Sequence, residues 1–231
     1  MSMHQITFAP EMTNQETIVA ISTPSGAGAI GIIRLSGKNV LEITQHFFSK
    51  NLSDIVPNTA HFGRFKLGDT VLDEVVLSYF KGPNSYTGED VIELSFHGSN
   101  YILTEALNAI LEAGATMAEP GEFTQRAFLN GKMDLSQAEA VADLIASESN
   151  AEHRLAMHQM RGGFSAEIAK LREELIHFAS LIELELDFGE EDVEFANRED
   201  LVQLIEKIRA YLKRLMESFR YGNAVKNGVP V

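Results

Sequence analysis

The hydrophobic pattern of the chain changes its period near residue 130, and this change constrains the fold more than any other feature. Before that point, short runs rich in β-branched and apolar residues alternate with turn residues, which is typical of strands. Five strands are predicted in this way, at residues 17–22, 31–37, 61–67, 73–80 and 91–96. Apolar residues at helical spacing predict two short helices in the same region, at residues 40–48 and 100–113. The first part of the chain is therefore predicted to have an α+β fold.

After residue 130 the apolar residues recur at steps of three and four, as they do on the buried faces of packed helices. Ser136 and Glu139 fit a capping box, so a helix is predicted to begin at Ser136 and to continue as far as Gly162. Two further apolar stripes predict helices at residues 164–182 and 201–219. This part is predicted to be a helical bundle.

These patterns divide the chain into an α+β domain at residues 1–130 and the first part of an α-helical domain at residues 131–231. Residues 221–231 contain Gly, Asn and Pro and are predicted to form a linker without a closing element. The helical domain is therefore expected to be incomplete, as if the chain were interrupted at this point.

The charge balance limits the partners that the chain can bind alone. It has 33 acidic and 19 basic residues, a net charge of −14, and no cysteine. Because tight binding to a nucleic acid backbone depends on Lys and Arg displacing counterions, RNA binding by this chain alone is not expected. The absence of cysteine excludes disulfides and thiolate metal sites. No apolar run is long enough for a membrane helix and no signal peptide is evident, so a cytoplasmic protein is expected.

The sequence contains parts of two nucleotide-binding motifs, the dinucleotide-binding motif and the P-loop, but neither is complete. Residues 26–31 satisfy G-x-G-x-x-G after a predicted strand, but the residues that follow are strand-like and Gly37 interrupts them, so the helix that a dinucleotide site requires cannot be placed. Gly37-Lys38 and Gly131-Lys132 both lack the Ser or Thr of a P-loop. The chain is therefore predicted to have no GTPase activity by itself, and no catalytic residue is assigned to it.

Metal sites are not predicted either. The seven histidines have no close metal-ligand spacing, and the acidic run at residues 190–194 is better explained as a solvated connector than as a cation site. Two other segments can carry a binding site. In residues 82–98, Glu93, Ser95 and His97 share one strand face opposite apolar neighbours, and residues 119–135 are dense in charged, aromatic and glycine residues. From the residues alone, a binding segment and an interdomain joint are equally good interpretations of the second segment.

These segments resemble the MnmE (TrmE) family of tRNA-modifying GTPases. The resemblance runs from about residue 16 to the last residue and is strongest in PNSYTGEDVIEL (83–94), PGEFTQRAFLNGKMDLSQAEAVADLI (120–145) and GVPV (228–231). It implies an N-terminal domain related to the folate-binding domains of aminomethyltransferases, followed by a helical domain into which a GTPase domain is inserted after Val231.

The resemblance also implies a function. Members form homodimers through the N-terminal domain and work with an FAD-dependent partner, MnmG. Together they add an aminomethyl or carboxymethylaminomethyl group at C5 of the wobble uridine of certain tRNAs. A 5-formyl- or 5,10-methylene-tetrahydrofolate is expected to be the one-carbon donor, while GTP, Mg²⁺ and K⁺ are expected to bind the GTPase domain of the full-length protein. The tRNA is expected to bind through the complex, and no membrane is involved.

The family's folate-binding positions fall on Arg34, Glu93 and Lys132. A carboxylate at Glu93 can accept two parallel hydrogen bonds from the 2-amino group and ring N–H of a pterin. Arg34 and Lys132 suit the carbonyl or anionic parts of folate, and which cation meets which group stays open. Many relatives have Arg at the position of Ala27, and a further family ligand lies in a C-terminal tail that this sequence lacks. The alternatives are a dimerisation scaffold with an empty folate pocket and a dinucleotide-dependent oxidoreductase.

Overall fold

The computed structural model describes residues 16–187 and 197–227, and within the last two helices the side chains of residues 164, 185, 187, 215 and 218–227 are not described. The acidic run at residues 190–194 lies outside the described residues. The chain divides into two compact units, Met1–Lys132 and Met133–Val231, and each is described by itself.

The N-terminal unit is built on one six-stranded sheet. Its strands are β1 (Ile18–Ile21), β2 (Ile30–Ser36), β3 (Thr59–Leu67), β4 (Thr70–Phe80), β5 (Val91–His97) and β6 (Thr116–Met117). The sheet order is β3-β4-β5-β2-β1-β6, and every neighbouring pair is antiparallel except β1 and β6. All five predicted strands are confirmed, whereas the two-residue strand β6 is too short to leave a periodic pattern.

Three helices accompany the sheet: α1 (Val40–Gln45), α2 (Asn100–Glu112) and α3 (Glu122–Leu129). The core includes Val19, Ile33, Leu35, Leu77, Ile92 and Leu94 from the sheet and Val40, Ala106 and Ile110 from α1 and α2, all with no exposed surface. Helix α1 is shorter than predicted, because Phe48 leaves the helix to form a bridge with Phe65 of β3. Helix α3 was not predicted as a helix.

Gly31 shows what the glycine-rich motif does in this fold. It lies inside β2, opposite Phe96, and a Cβ at this position would collide with Leu103 of α2. The glycine therefore permits close packing of a helix on a strand. Since residues 30–36 are a strand, the helix that a dinucleotide site needs does not follow the glycines, as the sequence predicted.

The second unit consists of α4 (Leu135–Ala146), α5 (Asn150–Met160), α6 (Gly163–Asp187) and α7 (Arg198–Asn227). The predicted helix start at Ser136 is wrong by two residues. Asp134 is the N-cap: its carboxylate accepts from Gln137 N at 2.9 Å, and the Gln137 side chain accepts from Asp134 N at 2.9 Å. Extended backbone at Asp134 makes this the capping box, with Ser136 already inside the helix.

Two further boundaries differ from the prediction. The single helix predicted to continue to Gly162 is broken at Ser149, which caps α5 in a capping box with Glu152. Residues 221–227, predicted as linker, continue α7 to Asn227, because one glycine at position 222 does not end a long helix. None of the helices in the described residues is long and apolar enough to cross a membrane.

Candidate functional site

The centre of the candidate site is an ion pair between neighbouring strands. The β2–β5 register places Arg34 opposite Glu93. Arg34 Nε and Nη2 both donate to Oε1 of Glu93, at 2.8 and 2.7 Å. The two side chains keep 27% and 25% of their surface exposed, so a ligand can still reach the carboxylate. The predicted alternation is also confirmed, since Ile92, Leu94 and Phe96 are buried on the opposite face of β5.

Two aromatic rings pack on the guanidinium of this pair. The Arg34 Cζ atom lies 5.4 Å from the ring centroid of Tyr86 and 5.6 Å from that of Phe123. Both distances are within the range of cation–π attraction. Tyr86 comes from the loop between β4 and β5, residues 81–90, which we call the β4–β5 loop, and Phe123 comes from α3.

Asp90 closes the β4–β5 loop at its base. Its Oδ1 accepts from Gly82 N at 2.8 Å, and its Oδ2 accepts from the Tyr79 hydroxyl at 2.9 Å. Burial, together with the hydrogen bond to the Asp90 carboxylate, raises the pKa of Tyr79 from 10.0 to about 12. The phenol therefore remains a hydrogen-bond donor to Asp90 at every pH near neutrality.

A buried polar network lies beneath the same loop. The Ser36 hydroxyl donates to Glu89 at 2.7 Å and is 2.7 Å from the Thr87 hydroxyl. Arg126 of α3 is 5% exposed, and it donates to Glu89 at 3.2 Å and to Glu122 at 2.9 Å. Because a buried guanidinium needs paired carboxylates, this network fixes the loop and α3 to each other.

Lys132 contacts the β4–β5 loop at another point. Its Nζ donates to the carbonyl oxygen of Pro83 at 2.8 Å, and the residue is exposed. Nearby, the Asn130 amide donates to Thr87 O at 2.8 Å. The structure therefore brings Arg34 and Glu93 into direct contact and joins Lys132 to the loop whose Tyr86 packs on Arg34.

Several residues of the site were not singled out by the sequence. Tyr86, Thr87, Glu89, Phe123 and Arg126 all lie in residues 82–98 or 119–135, the two segments that can carry a binding site. The Arg126–Glu89 pair has no local signal, because the two residues are 37 apart in the chain, whereas the Arg126–Glu122 pair has the local i,i+4 spacing.

His97 is placed differently from Glu93. Its ring Nδ1 is 2.7 Å from Asp73 Oδ1, and its backbone N–H donates to Asp73 Oδ2 at 2.8 Å. The Asp73 carboxylate is buried and accepts the backbone N–H of the last residue of β5, whereas the His97 side chain is 73% exposed. Within the described residues, no three His, Asp or Glu side chains form a group that can hold a metal ion.

Comparison with known proteins decides the family. A family model described as "GTP-binding protein TrmE N-terminus" matches residues 17–132, and one described as "MnmE helical domain" matches residues 135–230. The chain belongs to the MnmE (TrmE) family. This confirms the resemblance seen in the sequence, and the first of the two matches contains the ion pair, the β4–β5 loop and α3.

Individual MnmE relatives agree with this assignment. The chain is 58% identical to the tRNA modification GTPase MnmE of Flavobacterium johnsoniae over 224 residues, which are 95% of this chain and 48% of the relative. The MnmE of Bacteroides thetaiotaomicron is also 58% identical, over 94% of this chain and 48% of the relative. That of Porphyromonas gingivalis is 50% identical over 94% of this chain. The chain spans about half the length of the curated relatives it matches.

Proposed function

We propose that this chain is the folate-binding and self-associating part of a tRNA modification GTPase. Its N-terminal unit receives 5-formyl- or 5,10-methylene-tetrahydrofolate at Arg34, Glu93 and Lys132. The observation that supports this proposal most strongly is the Arg34–Glu93 pair, which presents an accessible carboxylate between strands and beside two aromatic rings.

The carboxylate geometry suits the pterin end of folate. Arg34 directs both of its donors to Oε1 of Glu93. This leaves Oε2, with both of its lone pairs, to accept the 2-amino group and the adjacent ring N–H of a pterin. Charge-assisted pairs of this kind are stronger than neutral hydrogen bonds and fix the plane of the ligand. Glu93 is therefore the residue that recognises the ring.

Lys132 suits a different part of the ligand. One of its three N–H donors is used by the carbonyl of Pro83, which holds the ammonium group on the β4–β5 loop. The remaining donors of this exposed group can meet a carbonyl or carboxylate oxygen of folate. The bound folate supplies a one-carbon unit, and the residues of this chain bind and orient it.

In the full-length protein we propose the following division of work. GTP, with Mg²⁺ and K⁺, binds a GTPase domain: the relatives that this chain matches are named GTPases, and the chain spans about half of their length. With an FAD-dependent MnmG-type partner, the protein adds an aminomethyl or carboxymethylaminomethyl group at C5 of the wobble uridine of certain tRNAs. The net charge of −14 favours a complex in which the partner supplies most of the tRNA-binding surface. The complex is proposed to act in the cytoplasm.

Calorimetric titration of the 231-residue chain with 5-formyltetrahydrofolate tests the proposal. We expect saturable binding that Glu93→Ala weakens by roughly tenfold or more, because it removes a charge-assisted pair of hydrogen bonds. Glu74→Ala is the matched control: Glu74 faces Arg64 across β3 and β4 of the same sheet, in a pair that is more than half exposed. No heat with the unaltered chain, or equal losses in both variants, would reject the folate site.

The competing proposal is a structural dimerisation scaffold whose folate pocket is empty. Exposed apolar side chains favour self-association in either case: Phe62 and Val76 are cross-strand partners and are 57% and 37% exposed. Sedimentation is therefore expected to show a homodimer under both proposals, and the folate titration separates them.

A further inference from the structure

The Arg34 guanidinium is held by more than its carboxylate partner. Both donors that it directs to Glu93 must lie close to one oxygen, so the orientation of the guanidinium decides whether the contact survives. A long side chain that is 27% exposed has many rotamers, and fixing one of them costs conformational entropy. An additional restraint is needed to keep the pair in one geometry.

Tyr86 and Phe123 supply that restraint. Their ring centroids lie 5.4 and 5.6 Å from the Arg34 Cζ atom, close enough for each ring to attract the guanidinium. The rings also exclude water from part of the ion pair, which strengthens its electrostatic attraction.

The two rings are themselves fixed. The Tyr86 hydroxyl is 2.9 Å from the Thr124 hydroxyl, which ties the β4–β5 loop to α3 beside Phe123. The pair between the buried Arg126 and the partly exposed Glu89 also joins the same loop and helix. The rings therefore belong to a loop and a helix that are joined to each other, whereas Arg34 and Glu93 belong to the sheet.

We infer that Tyr86 and Phe123 are positioning residues, which hold Arg34 against Glu93 and so set the orientation of the carboxylate that receives the pterin. The ligand in this inference rests on the proposed folate function. The restraint on Arg34 does not, and it is measurable without any ligand.

The ligand-free test follows solvent exchange of the Arg34 Nε proton by NMR, with the signal assigned by its loss in Arg34→Lys. We expect Tyr86→Leu and Phe123→Leu to accelerate exchange roughly three- to tenfold, the range expected when a cation–π contact is lost. Tyr86→Phe keeps the ring and loses only the Thr124 contact, so it should accelerate exchange less than Tyr86→Leu does. Phe128→Leu is the matched control, because it makes the same substitution as Phe123→Leu on the same helix, at a side chain that is 39% exposed. If either leucine variant does not fold, Phe123→Met preserves bulk while removing the ring.

The second readout is affinity for 5-formyltetrahydrofolate. Tyr86→Leu and Phe123→Leu should weaken binding roughly three- to tenfold, and neither should weaken it further in the Glu93→Ala background, since they act through that carboxylate. Unchanged Arg34 exchange in the leucine variants would overturn the inference, and so would faster exchange with unchanged folate affinity. If the unaltered chain binds no folate, the proposed function fails, while the exchange rates still decide whether the rings position Arg34.

Discussion

The two units of the chain bury their apolar side chains to very different extents. In the N-terminal unit, sheet residues such as Ile33, Leu35 and Leu94 have no exposed surface. In the helical unit, apolar side chains such as Ile145, Leu186 and Met216 are 82%, 75% and 71% exposed. The N-terminal unit therefore completes its own core, whereas the helices present apolar surface that requires a cover.

The candidate site lies in the N-terminal unit, and hydrogen bonds of the β4–β5 loop preorganise it. Asp90 accepts from Tyr79 of β4, Glu89 accepts from Arg126 of α3, and the Thr87 hydroxyl is 2.7 Å from that of Ser36 in β2. A site that must orient a carboxylate needs such a rigid support.

The largest expected effect tests the difference in burial directly. Leu35→Ala removes a side chain with no exposed surface, so it should lower the free energy of unfolding of the N-terminal unit by about 2–5 kcal/mol. Leu186→Ala makes the same chemical change at a position that is 75% exposed, and it should stay within about 0.5 kcal/mol. Hydrogen exchange measured in urea by mass spectrometry reports each unit separately. Equal losses would contradict the contrast between the units.

A smaller effect is expected at the base of the site. Arg126→Met leaves the carboxylates of Glu89 and Glu122 without their buried cation, and should destabilise the N-terminal unit by about 2–3 kcal/mol. Arg64→Met breaks the exposed pair with Glu74 and should cost less than about 1 kcal/mol. The same exchange measurement distinguishes them, and a loss confined to the helical unit would show that the network does not support the N-terminal unit.

The smallest effect concerns the first helix of the second unit. Hydrogen bonds to Asp134, first from the Ser165 side chain and then from backbone N–H groups of α4, lower its pKa below the ordinary 3.8. Its stabilisation is therefore present above pH 3.8 and is lost as the pH falls through the lowered pKa. Asp134→Ala should cost the helical unit about 1 kcal/mol near neutral pH.

Asp134→Asn is the control, because asparagine also caps a helix but does not titrate in this range. Urea unfolding of the helical unit, followed between pH 3 and pH 7, should show a smaller pH dependence in this variant than in the unaltered chain. An unchanged pH dependence would contradict the role assigned to Asp134.

The features of the fold that were predicted correctly from the sequence are those that local hydrophobic periodicity determines. Alternation along residues 91–96 placed Glu93 opposite a buried face, as the structure confirms. Prediction from the sequence failed where two local patterns compete: Asp134 with Gln137 and Ser136 with Glu139 are both spaced as capping boxes, and only the backbone conformation selects the first.

Contacts between distant residues were beyond the sequence altogether. Nothing near Arg126 indicates that its carboxylate partner is Glu89, or that Phe123 packs on Arg34, because those pairs form only after α3 folds against the β4–β5 loop. The resemblance to relatives supplied Arg34, Glu93 and Lys132 as candidates, and their role stays a prediction.

A crystal structure of the chain grown with 5-formyltetrahydrofolate tests the central claim most directly. We predict that Oε2 of Glu93 accepts hydrogen bonds from the 2-amino group and ring N–H of the pterin, with Arg34 still donating to Oε1. A pterin bound elsewhere, with the Arg34–Glu93 pair free of ligand, would contradict the claim.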